Sequence, residues 1–262
     1  MPADHWSTSS NSADHADRAS DRSGRAAADR PRGPEPRIGD NPPQQADDAD
    51  GPRTKADGTW AWKGHRLEAA DNESADRGLD RRREVEPAIT SDMRAIEASL
   101  THGRLEDTLK SADRFKEKLA QWIDRNPGAP TGKVETEIHD GIRYTFNIDD
   151  ADYTAGVADV QDRLNGMGYE LRWQKNSWDN PEYKGVNSRW VTYSGEMIEV
   201  QFHTPASWET KQATHDAYEE LADPRTTSTR RHQLHALQRD MTAAIPVPPG
   251  AREIQNYPRN EP

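Results

Sequence analysis

YKGVNSRWVTYSGEMIEVQFHT, from Tyr183 to Thr204, is the stretch from which the fold is read. Two apolar-alternating runs, Arg189 to Tyr193 and Met197 to Phe202, flank Ser194-Gly195-Glu196, and a Gly-containing loop between such runs predicts a β-hairpin. Side chains alternate along a strand, so Ile198, Val200 and Phe202 face one way while Glu199, Gln201 and His203 face the other. Three functional polar groups on one face admit two explanations. A half-exposed antiparallel strand with a solvated side produces this pattern, and so does a site.

Outward from the hairpin, Ile142 to Ile148 and Tyr169 to Lys175 read as further strands, and Thr154 to Met167 as an amphipathic helix closed by Gly166 and Gly168. Ile89, Met93, Ile96 and Leu100 recur at three- and four-residue steps, predicting a helix stopped at His102-Gly103. Leu105, Leu109, Ala112, Phe115, Leu119 and Trp122 continue the period into a second helix, whose other side sets Lys110, Arg114 and Lys118 on one ridge. Pro205 to Leu221 and Thr229 to Ala244 read as the last helices. The sum is an α+β domain over residues 87–250, with a mixed or antiparallel sheet flanked by helices.

Only 32% of the 262 residues are hydrophobic and the mean hydropathy is -1.14, too polar for a core along the whole length. Residues 1–86 are expected to form a disordered, charged leader, interrupted by Trp60 and Trp62, which either dock on the folded domain or a partner or do nothing. Residues 251–262 are expected to be an extended tail. The absence of cysteine excludes disulfides and thiolate metal sites. No run reaches the length of a membrane span and no apolar signal segment opens the chain, so the expected compartment is the cytoplasm, with export as an effector the alternative. A net charge of -11 argues against general DNA binding, which needs a basic surface.

The order of elements and their polar residues resemble the RelA/SpoT-type synthetase, a nucleotidyltransferase-like fold, from about Ile89 to Leu221. Leu109-Lys110-Ser111 with Lys118 is similar to the family's basic helix, and Gly141-Ile142-Arg143 to its first-strand motif. Tyr183-Lys184-Gly185-Val186-Asn187 resembles the Gly-Tyr-Arg-Ser-x-His segment, and Glu199-Val200-Gln201-Phe202-His203-Thr204 the Glu-x-Gln-Ile-Arg-Thr strand. His215 and Tyr218 fall where the family's following helix carries His-Trp-x-Tyr. The departures concern charge. The family's metal-binding aspartate aligns with Ile138, whereas Asp140 lies two residues later, on the same face if the backbone is extended. Its basic-helix arginine is Thr108 here, its histidine Asn187, and its strand arginine His203.

The resemblance implies transfer of a pyrophosphate, phosphoryl or nucleotidyl group from ATP to a hydroxyl of a nucleotide or an RNA. The missing cations make a catalytically inactive nucleotide-binding module, or one derived from a toxin, the alternative. It further implies magnesium held by Asp140 and Glu199, with Glu199 as base or metal ligand. Lys110, Lys118 and Arg143 would contact phosphate, Tyr183 would offer a surface to a base, and Lys184, Asn187, Gln201, His203 and His215 would complete the substrate site. Such chemistry rests on positioning and on neutralising phosphate charge. His203 and His215 lack a recognisable ligand spacing, so zinc is not expected.

Overall fold

The computed structural model describes residues 51–109, 111–128, 138–223 and 225–258. The leader expected over Met1–Asp50 and the role given to Lys110 lie outside these residues.

Three short strands, β1 (Arg53–Thr54), β2 (Trp60–Trp62) and β3 (His65–Leu67), form a small antiparallel sheet. The chain continues through α1 (Ala69–Glu97), β4 (Gly103–Leu109), α2 (Ala112–Arg125), β5 (Ile142–Ile148), α3 (Tyr153–Gly166) and β6 (Glu170–Asn176). The hairpin follows as β7 (Val186–Val191) and β8 (Met197–His203), then α4 (Pro205–Ala213), α5 (His215–Ala222) and α6 (Ser228–Ala243). The main sheet runs β4-β5-β8-β7-β6. Its β5–β8 pair is parallel and the other three pairs are antiparallel, so the sheet is mixed.

One face of this sheet is apolar. Ile142, Tyr144, Phe146 and Ile148 of β5, Val186 and Trp190 of β7, and Ile198, Val200 and Phe202 of β8 join Ile89, Met93 and Ile96 of α1 and Val157, Val160 and Leu164 of α3 in one core. The Phe146 and Phe202 rings stack at 6.1 Å. The expected hairpin is present, and Gly195, at φ +85, takes the positive-φ position in its turn. A second cluster gathers Trp60, Leu67, Ala75, Leu79, Phe115, Leu119, Ala120 and Ile138. Trp60 is 1% exposed and its indole N–H donates to Asp113 Oδ1 at 3.3 Å, so the first of the two expected docking aromatics is core.

Three expectations are corrected. Residues 69–86 are not part of an irregular leader but the first half of α1. The buried stripe there consists of Asp71, Asn72, Ser74, Ala75, Gly78, Leu79 and Arg82, in which Leu79 is the one large apolar residue, so no apolar period can be read. Arg82 is 1% exposed, and its charge is met inside the fold: it donates to Gly78 O at 3.2 Å and Ile138 O at 3.0 Å, and pairs with Glu196 at 3.2 Å. Leu105 opens no helix. It lies in edge strand β4, opposite Phe146, because pairing with a distant strand overrides the local period. The Ala251–Tyr257 stretch of the expected tail is tied to the domain, with a 3-10 turn at Ala251–Glu253 and backbone bonds between Tyr257 and Gln174 in both directions. Among the described residues no helix is long and apolar enough to cross a membrane.

Candidate functional site

The polar face of the sheet is the opposite of a solvated side. The parallel register puts Arg143 beside Glu199, Thr145 beside Gln201 and Asn147 beside His203, and the hairpin adds Asn187 opposite Gln201 and Arg189 opposite Glu199. Gln201 and His203 are buried, at 4% and 0% exposure. Helix α4 packs on β5 and β8, and its position is set at its first residue. Thr204 and Ser207 form a reciprocal capping box, with Pro205 in the first turn, so the helix leaves directly from the end of β8.

Charge on this face centres on Arg143. Its Nε donates to Glu199 Oε2 at 2.7 Å and its Nη2 to Asp140 Oδ2 at 2.8 Å. Lys118, from α2, donates to the same Asp140 oxygen. Gln201 Nε2 donates to the other Glu199 oxygen at 3.0 Å. Burial disfavours the charge on Arg143, yet Glu199 and Asp140 outweigh it and hold the guanidinium above its ordinary pKa. Burial and Asp140 push the Glu199 carboxyl up, while Arg143 and the Gln201 hydrogen bond pull it down, and the balance lies below the usual carboxylate range. Glu199 is therefore ionised at neutral pH.

Asp140 reaches this centre by a route different from the one expected. It lies in the turn before β5, not on an extended strand, so alternation does not place it; the turn swings its carboxylate back over Arg143, three residues on. Among the described residues no group of three or more His, Cys, Asp or Glu could hold a metal. The pair Asp140 and Glu199 offers hard carboxylate oxygens meeting at one guanidinium, a donor set suited to magnesium, which binds through one or two carboxylates and keeps waters or substrate oxygens for the rest.

Beside the ion cluster runs a neutral chain. The Tyr183 hydroxyl donates to Asn187 Oδ1 at 2.7 Å and lies 2.9 Å from His203 Nε2, while His203 Nδ1 lies 2.9 Å from Ser207 Oγ. Burial, then Lys211 and Arg143, push the His203 pKa well below its usual value, so the ring is neutral. Burial likewise raises Tyr183. Gly185, at φ +146, sits where a Cβ would come within 2.9 Å of both the His203 ring and Phe202 O, which fixes the residue type that precedes β7.

Of the expected site residues, Asp140, Lys118, Arg143, Glu199 and Gln201 form one connected cluster, and Tyr183, Asn187 and His203 form the adjoining one. Two do not join. Lys184 donates to Trp178 O at 2.7 Å, because its carbon stem carries it to the loop side. His215 is 57% exposed and pairs with Glu219 at 3.3 Å; α4 ends at Thr214 instead of continuing, which sets His215 at the rim. Of the ridge of three cations, Arg114 and Lys118 lie on α2, and Lys110 lies outside the described residues.

One residue of the site was missed. Lys211 of α4 donates to Gln201 Oε1 and holds its ammonium 4.6 Å from the centre of the Trp208 ring. Ser207, Lys211 and Thr214 recur at four and three residues, a polar stripe facing a polar sheet, and this i, i+4, i+7 pattern was the signal available.

No protein-family model matches the chain, and no curated protein sequence does. Among solved structures, it is similar to that of the small alarmone synthetase 1 from Bacillus subtilis bound to its product pppGpp, at 12% identity and a TM-score of 0.48, over 65% of this chain and 92% of that chain. The small alarmone synthetase 2 from Bacillus subtilis is similar at 14% identity and TM-score 0.47, over 64% and 90%. The Type VI effector Tas1, solved with its immunity protein, is similar at 18% identity and TM-score 0.40, over 68% and 98%.

Proposed function

We propose that the chain transfers a pyrophosphate, or a related phosphoryl or nucleotidyl group, from ATP to a hydroxyl of a nucleotide or an RNA. The observation that carries this reading is the Lys118–Asp140–Arg143–Glu199 cluster, two carboxylates and two cations joined on a covered sheet face. Transfer of this kind asks for little covalent chemistry from the protein and much fixed charge. Arg143 is the natural phosphate contact, as a planar fork that stays charged under all conditions. Magnesium, when bound by Asp140 and Glu199, would neutralise phosphate charge. Arg143 would then release at least one carboxylate and turn its donors to the substrate. The low pKa of Glu199 suits a ligand and an orienting group better than a proton acceptor, since a carboxylate that binds protons weakly is a poor base at neutral pH. Tyr183 and Asn187 border the cluster and would meet the base or sugar.

The test is incubation with labelled ATP, magnesium and a panel of guanine and adenine nucleotides and transfer RNA. A labelled product in the parent, absent with Glu199→Gln, supports transfer. No product above the Glu199→Gln level removes it. A second reading, a nucleotide-binding module without turnover, is favoured by His203: where the family's strand arginine would offer a cation, this chain has a neutral ring bonded at both nitrogens. Calorimetry showing nucleotide binding in a protein with no labelled product would establish it. Growth of bacteria expressing the parent as well as those expressing Glu199→Gln would exclude a toxin.

A further inference from the structure

We propose that Lys211 is a polyphosphate-contacting residue of this site, its ammonium exchanging the Gln201 amide for an anionic oxygen of the nucleotide. The proposal rests on the transfer-site reading above and names a group that it leaves without a role. Three features converge on it. The side chain crosses from α4 onto the polar face of β8, where it meets a neutral amide oxygen. Among the described residues it makes no ion pair, whereas Lys118 and Arg143 on the same face are each bound to carboxylate. It also lines a narrow cleft with Glu182, Tyr183, Lys184, Ser207, Thr210 and Thr214.

The charges around it explain why an anion would be held. Arg143 from β5, Glu199 and His203 from β8 and His215 from α5 act on or respond to it, and Glu182, Tyr183 and Lys184 line the same cleft. His203 is neutral, and Glu199 is taken up by Arg143. A half-buried ammonium supported by an amide and an aromatic face carries a desolvation cost that Glu199, at a distance, offsets only in part. A phosphate oxygen would offset it. The strand position where the resembling family carries an arginine is filled by His203, and Lys211 supplies a cation to the same face from the next helix.

Binding must then be coupled to proton uptake. Burial, and after it Arg143, lower the Lys211 pKa to about 7, while a bound anion restores it. Calorimetric titration of ATP at about pH 8, where the nucleotide phosphates are already ionised, in buffers of different ionisation enthalpy measures the uptake. The parent is expected to take up close to one proton per ATP and none with adenosine. Lys211→Met should weaken ATP about ten-fold or more and abolish the uptake. Lys211→Arg, always charged, should keep the affinity and also lose the uptake, which separates a contact from a packing role and covers a poorly folding methionine variant. Equal ATP affinity in parent and Lys211→Met, or uptake that persists in Lys211→Arg, would overturn the proposal while leaving the transfer reading intact. A parent that binds neither ATP nor tripolyphosphate would remove both.

Discussion

Replacing Glu199 by glutamine tests the centre of the site, and the expected cost follows from its partners. From the hairpin pattern alone, a polar-face substitution would be nearly silent, within about 0.5 kcal/mol. The structure changes that expectation. The Glu199 side chain is 14% exposed and accepts from Arg143 at 2.7 Å, so the substitution removes a charge-assisted bond worth about 1.5–3 kcal/mol. A buried pair broken outright costs about 3–5 kcal/mol, but Arg143 keeps Asp140 at 2.8 Å, which places Glu199→Gln near about 2 kcal/mol. For a chain of this size that is a fall of about 4–8 °C in Tm. The pH dependence has a definite sign. The folded pKa of Glu199 is depressed, so its contribution is present above the unfolded value, about 4.3, and is lost as pH falls through the folded one. Thermal scans by circular dichroism should show the gap between parent and Glu199→Gln at pH 7 and a narrowing gap in more acid buffer. A cycle with Arg143→Met should be non-additive by about 1–3 kcal/mol. A Glu199→Gln protein melting within a degree of the parent, with additive double-mutant behaviour, would refute the pairing and with it the ionised, ligand-like carboxylate.

Stability should rise with pH above about 7 on account of Lys211, because the unfolded chain keeps that proton up to about 10.5. Scans at increasing pH should show the parent gaining on Lys211→Met, and parallel curves would argue against a depressed pKa. Gly185→Ala combines φ +146 with a 2.9 Å approach to His203 and Phe202 O; a loss of about 2 kcal/mol or more in urea unfolding is expected, together with weaker nucleotide binding. Trp60→Ala should cost about 3–5 kcal/mol, since Trp60 is 1% exposed, and a near-silent result in the same assay would detach β1–β3 from the domain's core.

Sequence reading succeeded where local pattern and tertiary fate agree. Ile142–Ile148 and the 186–203 hairpin alternate because their two faces meet different surroundings, and Glu199, Gln201, Arg143 and Lys118 were found because strand alternation and helix period fix their directions. It failed where a residue's role is set by something distant. The first half of α1 buries Arg82 against Glu196, Ile138 O and the Phe115 ring, partners between 33 and 114 residues away, and a buried arginine looks like an exposed one in a sequence. Lys211 was passed over for the same reason, since a lysine on a polar helix is ordinarily solvated. Asp140 was assigned to the right cluster by an argument that does not apply to it, because the backbone there turns.

The parallel β5–β8 pair also has a kinetic consequence. Arg143 and Glu199 are adjacent strand neighbours, yet 56 residues apart in the chain, and every strand and helix from α3 to β7 is threaded between them. Closing a loop of that length costs about (3/2)RT ln n before any contact rewards it, so β8 is expected to enter late, sliding between β5 and β7 after α3 has packed. A chain whose Met197–His203 segment has not yet paired therefore has a helix with Lys118 and a strand with Arg143 but no Glu199 to complete the charged cluster. The charged cluster, on this account, closes in one step when β8 pairs with β5, and not by degrees.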